Sequence, residues 1–188
     1  MNAENKLAPF NPTCLHAQEI ALELLDLNDD DILFDLGCGD GRLLRRACHL
    51  IPGLSCVGIE IDSVYVERAR SPPNDDQEAA SVANMEIRQG DVLDPDVQNR
   101  PGCLSLCDDA TAIFLFLLPK GLVKVRPTLE AIVRSRMAQK TRFRIVSYMF
   151  SIRGWEPTLI NRETKGACLI YLYDFSPGNQ DPSVSKCK

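Results

Sequence analysis

The stretch that decides the fold is a short apolar segment, Ile32-Leu-Phe-Asp-Leu36, which leads directly into Gly37-Cys-Gly-Asp-Gly41. An apolar run of this length that ends at glycines predicts a strand buried on both faces. Arg42 to Leu50 then has helical spacing, and Ser55 to Ile61 is a second apolar run rich in β-branched residues. Strand, helix and strand within about thirty residues match the size of one right-handed parallel crossover unit.

The rest of the chain continues this alternation of strands and helices. Thr13 is predicted to cap a helix that continues to Leu27, and a helix from Lys120 to about Ala138 is predicted to be interrupted near Pro127. The connection from Asp94 to Asp109 is predicted to lie on the surface, with a short helix near Leu106. The other predicted elements are a helix over Ser63–Arg70 and strands over Met85–Gln89, Thr111–Leu118, Arg144–Phe150, Thr158–Arg162 and Ala167–Phe175.

This order of elements predicts an α/β fold with a single domain. The sheet is expected to be Rossmann-like and doubly wound, with seven mainly parallel strands and one antiparallel strand in a C-terminal hairpin. We place a lead-in at residues 1–12 and the folded domain at 13–175. The tail over 176–188 is polar and carries prolines, so it is expected to be disordered.

The composition is that of a globular protein with a modest acidic charge. Of 188 residues, 45% are apolar, and 21 Lys and Arg against 26 Asp and Glu leave a formal charge of −5, which disfavours nucleic acid as a partner. The longest apolar run, Ala112 to Pro119, is too short for a membrane span, and the first thirty residues hold no signal core. Eight scattered cysteines favour a reducing compartment, so we expect a cytoplasmic or organellar monomer.

Three acidic side chains accompany the glycine loop at matching places in the predicted sheet. Asp35 opens the loop, Glu60 follows the second strand and Asp91 follows the third. The carboxyl ends of parallel strands meet at one edge, where doubly wound folds bind ligands and where a carboxylate binds ribose hydroxyls. A Gly-x-Gly-x-Gly loop alone fits a tight turn equally well, but the carboxylate after the second strand favours ligand binding.

The loop and the three acids, in this order, resemble the S-adenosylmethionine-dependent methyltransferases of the seven-strand class. That resemblance implies S-adenosyl-L-methionine as the cofactor. It assigns Asp35 to the methionine end, Glu60 to the ribose and Asp91 to the adenine amine. The other cofactor-binding positions that it implies are Gly37, Cys38, Gly39, Gly41, Ile61 and Val92.

A narrower set of motifs resembles the small protein-lysine N-methyltransferases of the ATP synthase c subunit and adenine nucleotide translocase type, with their bacterial relatives. The motifs that carry this likeness are Pro9-Phe-Asn-Pro12-Thr13, Asp35-Leu-Gly-Cys-Gly-Asp-Gly-Arg42, Leu117-Leu-Pro119, Arg144-Ile-Val-Ser147, Trp155-Glu-Pro157 and Tyr171-Leu-Tyr-Asp174. It implies methylation of a lysine in a protein substrate. The chain departs from this family at Asn11 and Cys14, and we expect no apolar N-terminal membrane segment like that of the animal members.

The acceptor side is predicted to be an apolar, aromatic wall. Transfer from an activated methyl donor depends on alignment, so neither a catalytic triad nor a metal is needed. A lysine amine must first lose a proton, and desolvation lowers its pKa. We assign this wall to Phe116, Tyr148 and Trp155, placed at the carboxyl edge, with Tyr148 contacting the amine. A position in the core explains each of these aromatics as well.

Other functions stay open on sequence alone. They are methylation of a small molecule or a nucleic acid, and cofactor binding without turnover. Cys103 and Cys107 have the spacing of a metal-ligand pair, but no second pair or neighbouring histidine completes a site, so no metal is expected. His16 and His49 are assigned no chemistry.

Overall fold

The structure is a computed structural model that describes residues 12–71, 84–164 and 168–178. Its helices are α1 (Leu15–Leu25), α2 (Arg42–Leu50), α3 (Ser63–Arg70), α4 (Pro95–Gln98) and α5 (Pro119–Gln139). Its strands are β1 (Ile32–Leu36), β2 (Ser55–Glu60), β3 (Met85–Gln89), β4 (Ala112–Leu115), β5 (Arg144–Tyr148), β6 (Leu159–Asn161) and β7 (Ile170–Asp174).

The strands form one seven-stranded sheet in the order β3-β2-β1-β4-β5-β7-β6. Strands β1 to β5 are mutually parallel. Strand β7 is antiparallel to both β5 and β6, so it is the reversed strand of the C-terminal hairpin. The order changes direction between β1 and β4, which is the place where folds of this kind bind ligands. The predicted α/β fold, with one antiparallel strand in a closing hairpin, is confirmed.

Apolar layers cover both faces of the sheet. Helices α1, α2 and α3 pack on one face, against strand residues that include Leu33, Phe114 and Val146. Helix α5 covers the other face, against residues that include Phe34 and Ile145. Neighbouring residues of a strand enter opposite layers because side chains alternate along a strand.

Gly58 in β2 sets how closely α2 approaches the sheet. A Cβ atom at this position would lie 2.6 Å from Cys38 Sγ, 2.8 Å from Ile87 Cδ1 and 2.9 Å from Leu44 Cδ1. Such distances are shorter than side chains tolerate, so only glycine fits without displacing its neighbours. Because Gly58 has no side chain, the glycine loop and α2 pack directly against β2.

Two helices differ from their predicted form. Helix α1 begins one residue later than expected, with Cys14 rather than Thr13 as N-cap and no side-chain cap bond, and it ends where Asp26 adopts a left-handed conformation. Helix α5 continues through Pro127 as one element. Proline frees the carbonyl four residues earlier, at Val123. Val123 is 54% exposed, so water can satisfy that carbonyl and the helix does not break.

The connection between β3 and β4 is more ordered than predicted. Its helix, α4, lies at Pro95–Gln98 rather than near Leu106, and the Asp94 side chain caps it by accepting from the Asp96 N–H. Leu106 is fully buried, and its N–H donates to the Gln98 carbonyl over 3.0 Å. The predicted surface loop therefore contributes to the core.

The predicted lead-in and tail lie almost wholly outside the described residues, so the domain bounds stay a prediction. Among the residues that are described, no helix is long and apolar enough to cross a membrane. Those same residues contain no group of three or more side chains arranged to hold a metal ion.

Candidate functional site

The glycine loop joins β1 to α2 and is tied to the end of β2. The N–H groups of Gly37 and Cys38 both donate to the Ile59 carbonyl, at 2.8 and 3.1 Å. Gly37 has a φ of 94°, and a Cβ there would lie 3.1 Å from Leu117 Cδ2. Gly41, with a φ of 74°, begins α2 as its N-cap. Because L-residues with side chains avoid these backbone angles, glycine is required for this turn.

The Glu60 carboxylate lies between the glycine loop and the turn after β2. Its Oε2 atom accepts from the Gly39 N–H at 2.9 Å, and its Oε1 atom accepts from the Asp62 N–H at 2.8 Å. Glu60 and its neighbour Ile61 are both half-buried. The carboxylate is thus held at the carboxyl edge by two backbone donors, within reach of a ligand lying along the loop.

Asp35 is a buried acid beneath this loop, with 3% of its surface exposed. Burial raises its pKa well above the usual value, and the nearby carboxylates of Glu60 and Asp40 raise it further. Burial also raises the pKa of the Cys38 thiol. Asp40 differs: although burial opposes ionisation, hydrogen bonds and charge from Arg42 hold its pKa below the usual value. A cationic ligand group would relieve the repulsion around Asp35.

Asp91 follows β3 and completes the row of edge carboxylates. The preceding residue, Gly90, donates its N–H to the Glu60 carbonyl at 2.9 Å, which joins the two strand ends. The Asp91 Oδ1 atom accepts from the Leu93 N–H at 2.9 Å, and Val92 between them is buried. Since β1, β2 and β3 are sheet neighbours, the three acids lie at one edge, as the sequence predicts.

Two of the three aromatic residues predicted for the acceptor side, Phe116 and Tyr148, pack against each other. Phe116 follows β4 and Tyr148 ends β5, and their ring centroids are 4.7 Å apart in an edge-to-face arrangement. Both belong to the layer of α1 to α3. Burial raises the pKa of Tyr148, and a hydrogen bond with the Cys168 thiol raises it further. Tyr148 is therefore a neutral phenol at physiological pH.

Trp155 lies apart from that pair, contrary to the placement expected from the sequence. Its ring centroid is 5.4 Å from that of Phe175 and 5.7 Å from that of Tyr173, in the layer of α5. Tyr173 pairs with Ile145, and the Phe175 N–H donates to the Phe143 carbonyl. These partners place Trp155 beside the amino end of β5, away from the edge that carries the glycine loop.

Two residues near the site were missed by sequence reasoning. Cys168 meets Tyr148 only because the C-terminal hairpin folds back beside β5, and no local pattern signals that contact. Arg88 is a fully buried cation in β3, and its hydrogen bonds reach the segment that follows Asp91. Glu86 and Arg88 alternate with Met85 and Ile87 in β3, which is the pattern of an exposed polar face, so no local signal marks Arg88 as buried.

This sheet order, with a glycine loop and edge carboxylates, defines a class I S-adenosylmethionine-dependent methyltransferase. The family model described as the ANTKMT methyltransferase domain matches residues 35–159. The chain belongs to this family. The match begins at Asp35 and ends at the first residue of β6, so it spans the glycine loop, all three edge acids and Tyr148.

Similar proteins of known name cover nearly the whole chain. A protein-lysine N-methyltransferase of Saccharolobus islandicus (strain REY15A) is 29% identical over 167 residues, which make up 88% of this chain and 92% of that protein. The structure of an RNA methyltransferase from Salinibacter ruber in complex with S-adenosyl-L-homocysteine is 30% identical, with a TM-score of 0.68 and coverage of 92% and 99%. Precorrin-6y C5,15-methyltransferase from Geobacter metallireducens GS-15 is 16% identical, with a TM-score of 0.59 and coverage of 92% and 94%, and shares the fold.

The residues at the edge fit S-adenosylmethionine, the cofactor of this class. The polar side chains there are carboxylates, which accept hydrogen bonds and favour positive charge. The cofactor presents complementary groups: a sulfonium, an ammonium, ribose hydroxyls and an adenine amine. Asp35 would hold the methionine end, Glu60 the ribose and Asp91 the adenine, with Ile61 and Val92 beside the nucleoside. Burial and the neighbouring carboxylates raise the pKa of Asp35, and a cationic group of the cofactor beside it would stabilise the ionised form.

Proposed function

We propose that this enzyme transfers a methyl group from S-adenosylmethionine to the side-chain amine of a lysine in a protein substrate. The observation that carries the proposal is the match to a protein-lysine N-methyltransferase over 88% of this chain. The aromatic pair of Phe116 and Tyr148 supports it, because the pair supplies an apolar surface at the edge where the cofactor would lie.

The main task of the protein is alignment. When bound, the cofactor supplies an activated methyl group on a sulfonium, so the acceptor must be held in line behind the methyl carbon. The glycine loop and the edge carboxylates would bind and orient the nucleoside and methionine ends. Phe116 and Tyr148 would exclude water around the amine. In this arrangement neither a covalent intermediate nor a catalytic triad is required.

The acceptor amine must be neutral before it can attack. A lysine with a reference pKa of about 10.4 is protonated at neutral pH, and an apolar wall lowers that pKa by desolvation. Tyr148 is a neutral phenol, as tyrosine ordinarily is at this pH, and burial and then the contact with Cys168 raise its pKa further. Its phenol oxygen is therefore suited to accept a hydrogen bond from the amine, while the proton leaves to water.

Replacing Tyr148 by phenylalanine tests this role. We expect Tyr148→Phe to bind S-adenosylhomocysteine as the parent does, but to transfer methyl at least about tenfold more slowly, the cost of one lost hydrogen bond at the reacting amine. Tyr171→Phe is the matched control. Tyr171 is half-buried and lies on β7 opposite Ser147, the residue before Tyr148, but its side chain belongs to the layer of α5 on the opposite face of the sheet. Equal single-turnover rates in parent and Tyr148→Phe would remove Tyr148 from the acceptor site.

RNA is the second candidate acceptor, because a structure that is 30% identical belongs to a protein titled an RNA methyltransferase. The formal charge of −5 counts against a phosphate-rich substrate. So does the sequence after β4, since Phe116-Leu-Leu-Pro119 lacks the Asn or Asp, paired prolines and aromatic residue expected of a nucleic-acid adenine methyltransferase.

Labelling an extract separates the two acceptors. The protein is incubated with methyl-labelled S-adenosylmethionine and an extract of its own cells, and the product is divided between protease and ribonuclease treatment. We expect the label to be released by protease and to be recovered as Nε-methylated lysine. Label that resists protease and is released by ribonuclease would overturn the proposal in favour of RNA.

A further inference from the structure

Arg88 ties β3 to the segment that follows Asp91. Its guanidinium is fully buried and donates to three main-chain carbonyls. Nη1 donates to Val97 and Gln98 at 3.2 and 3.0 Å, and Nη2 donates to Leu104 at 2.7 Å. One side chain thus ties the C-terminal end of α4 to the chain at Leu104.

The charge of Arg88 is balanced within the same cluster. Its Nε and Nη2 atoms donate to the two Glu86 carboxylate oxygens at 2.9 and 2.7 Å, and these bonds lower the pKa of Glu86. The guanidinium also lies 5.8 Å from the centroid of the Phe34 ring. A buried cation is costly unless its donors are satisfied, and the fork of arginine matches this set of acceptors where lysine would not.

Gln98 connects the Arg88 cluster to the loop Gly90–Asp94, here called the adenine loop. Only 3% of Gln98 is exposed, and its Nε2 atom donates to the Val92 carbonyl, directly after Asp91, at 2.5 Å. The backbone of the loop also lies close to α4, since a Cβ on Gly90 would lie 2.5 Å from Val97 Cγ2. The backbone on the C-terminal side of Asp91 is thus bound to a buried amide that is itself anchored by Arg88.

We infer that Gln98 is a positioning residue that holds the Asp91 carboxylate where it distinguishes adenine from other bases. This rests on the assignment of Asp91 to the adenine amine. An ionised carboxylate only accepts hydrogen bonds, so it favours the amine of adenine and disfavours the carbonyl that hypoxanthine carries at the same position. Hydrogen bonds weaken steeply with poor geometry, so this discrimination needs a fixed backbone at Asp91.

Calorimetric titration of the full chain with S-adenosylhomocysteine and with S-inosylhomocysteine tests the inference. The parent should prefer the adenine compound by at least about tenfold, the value of one charged hydrogen bond. Gln98→Leu should lose most of this preference, through weaker binding of the adenine compound alone. Asp91→Asn should also lose it, because an amide can donate to the hypoxanthine carbonyl.

A control separates positioning from general damage to the fold. Leu25→Ala removes buried volume from α1, which packs on the opposite face of the sheet from Val92 and Val97, and should lower the melting temperature without changing the preference. A parent-like preference in Gln98→Leu overturns the inference. No preference in the parent overturns the assignment of Asp91 and the inference with it. Neither result bears on lysine as the acceptor, which the extract labelling decides.

Discussion

Replacing Asp35 by asparagine is expected to stabilise the protein and to weaken cofactor binding. The carboxylate is 3% exposed, and its pKa is raised by burial and by the charges of Glu60 and Asp40. An aspartate in an unfolded chain titrates near 3.9, so above that pH the unfolded state is favoured by an ionisation that burial makes costly for Asp35 in the folded state. This cost is absent at pH values below the unfolded pKa. It grows as the pH rises from the unfolded pKa to the folded pKa, and it is constant at higher pH.

The magnitude follows from linkage. Each unit by which the folded pKa exceeds the unfolded pKa destabilises the fold by about 1.4 kcal/mol. For a chain of this length, that is worth about 3 to 5 °C in melting temperature. Asparagine has nearly the same shape without the charge, so Asp35→Asn should recover this energy. The same change removes a charged partner of the cofactor, which should weaken S-adenosylhomocysteine binding by about ten- to hundredfold.

Thermal unfolding of parent and Asp35→Asn over pH 4 to 8 measures the first effect, and calorimetric titration measures the second. The melting temperature of Asp35→Asn should exceed that of the parent by an amount that increases as the pH rises. Asp31→Asn is the matched control: Asp31 is also buried but lies 3.3 Å from the Arg144 guanidinium, so removing its charge leaves a buried cation without its partner and should make the protein less stable than the parent. A gap for Asp35→Asn that is independent of pH, or a mutant less stable at pH 8, would refute this reasoning.

Three further substitutions probe the loop, the sheet and the aromatic cluster. Glu60→Ala removes the acceptor of the Gly39 N–H and should weaken S-adenosylhomocysteine binding at least about tenfold by calorimetry; unchanged affinity would contradict its assignment to the ribose. Gly58→Val places atoms within 2.6 Å of Cys38 Sγ and should cost about 1 to 3 kcal/mol or more of unfolding free energy in urea; parent-like stability would contradict the close packing. Trp155→Ala should cost about 2 to 4 kcal/mol of unfolding free energy, with unchanged transfer per folded molecule. Slow methyl transfer by folded Trp155→Ala would instead show that Trp155 contributes to the acceptor site.

The part of the fold that local patterns control was predicted closely. Strand β1 and helix α2 have the predicted bounds, because an apolar run, a glycine turn and a helical spacing are all properties of neighbouring residues. The adjacency of Asp35, Glu60 and Asp91 was also predictable. It follows from the rule that parallel strands joined by right-handed crossovers present their carboxyl ends at one edge.

Predictions that depended on the surroundings of a residue were less accurate. Pro127 was expected to interrupt α5. The carbonyl that loses its hydrogen bond belongs to Val123, which is exposed, so water can hydrogen-bond to it and the helix continues. The connection from Asp94 to Asp109 was expected on the surface with a short helix near Leu106, but Leu106 is buried, and the connection is held by hydrogen bonds to the Leu104 carbonyl and from the Leu106 N–H. In both cases, solvent access or a distant partner decided the outcome, and neither is encoded in the local pattern.

The sequence by itself determined the class of fold, the glycine loop and the row of edge acids, because each depends on short-range periodicity and on general rules of chain crossover. Only the tertiary structure decided which aromatics share a surface. Phe116 and Tyr148 end neighbouring strands and meet in one layer, whereas Trp155 packs on Tyr173 in the other. The physical reason is that the segment between β5 and β6 crosses the α5 face of the sheet, and its course is set by long-range packing rather than by its own residues.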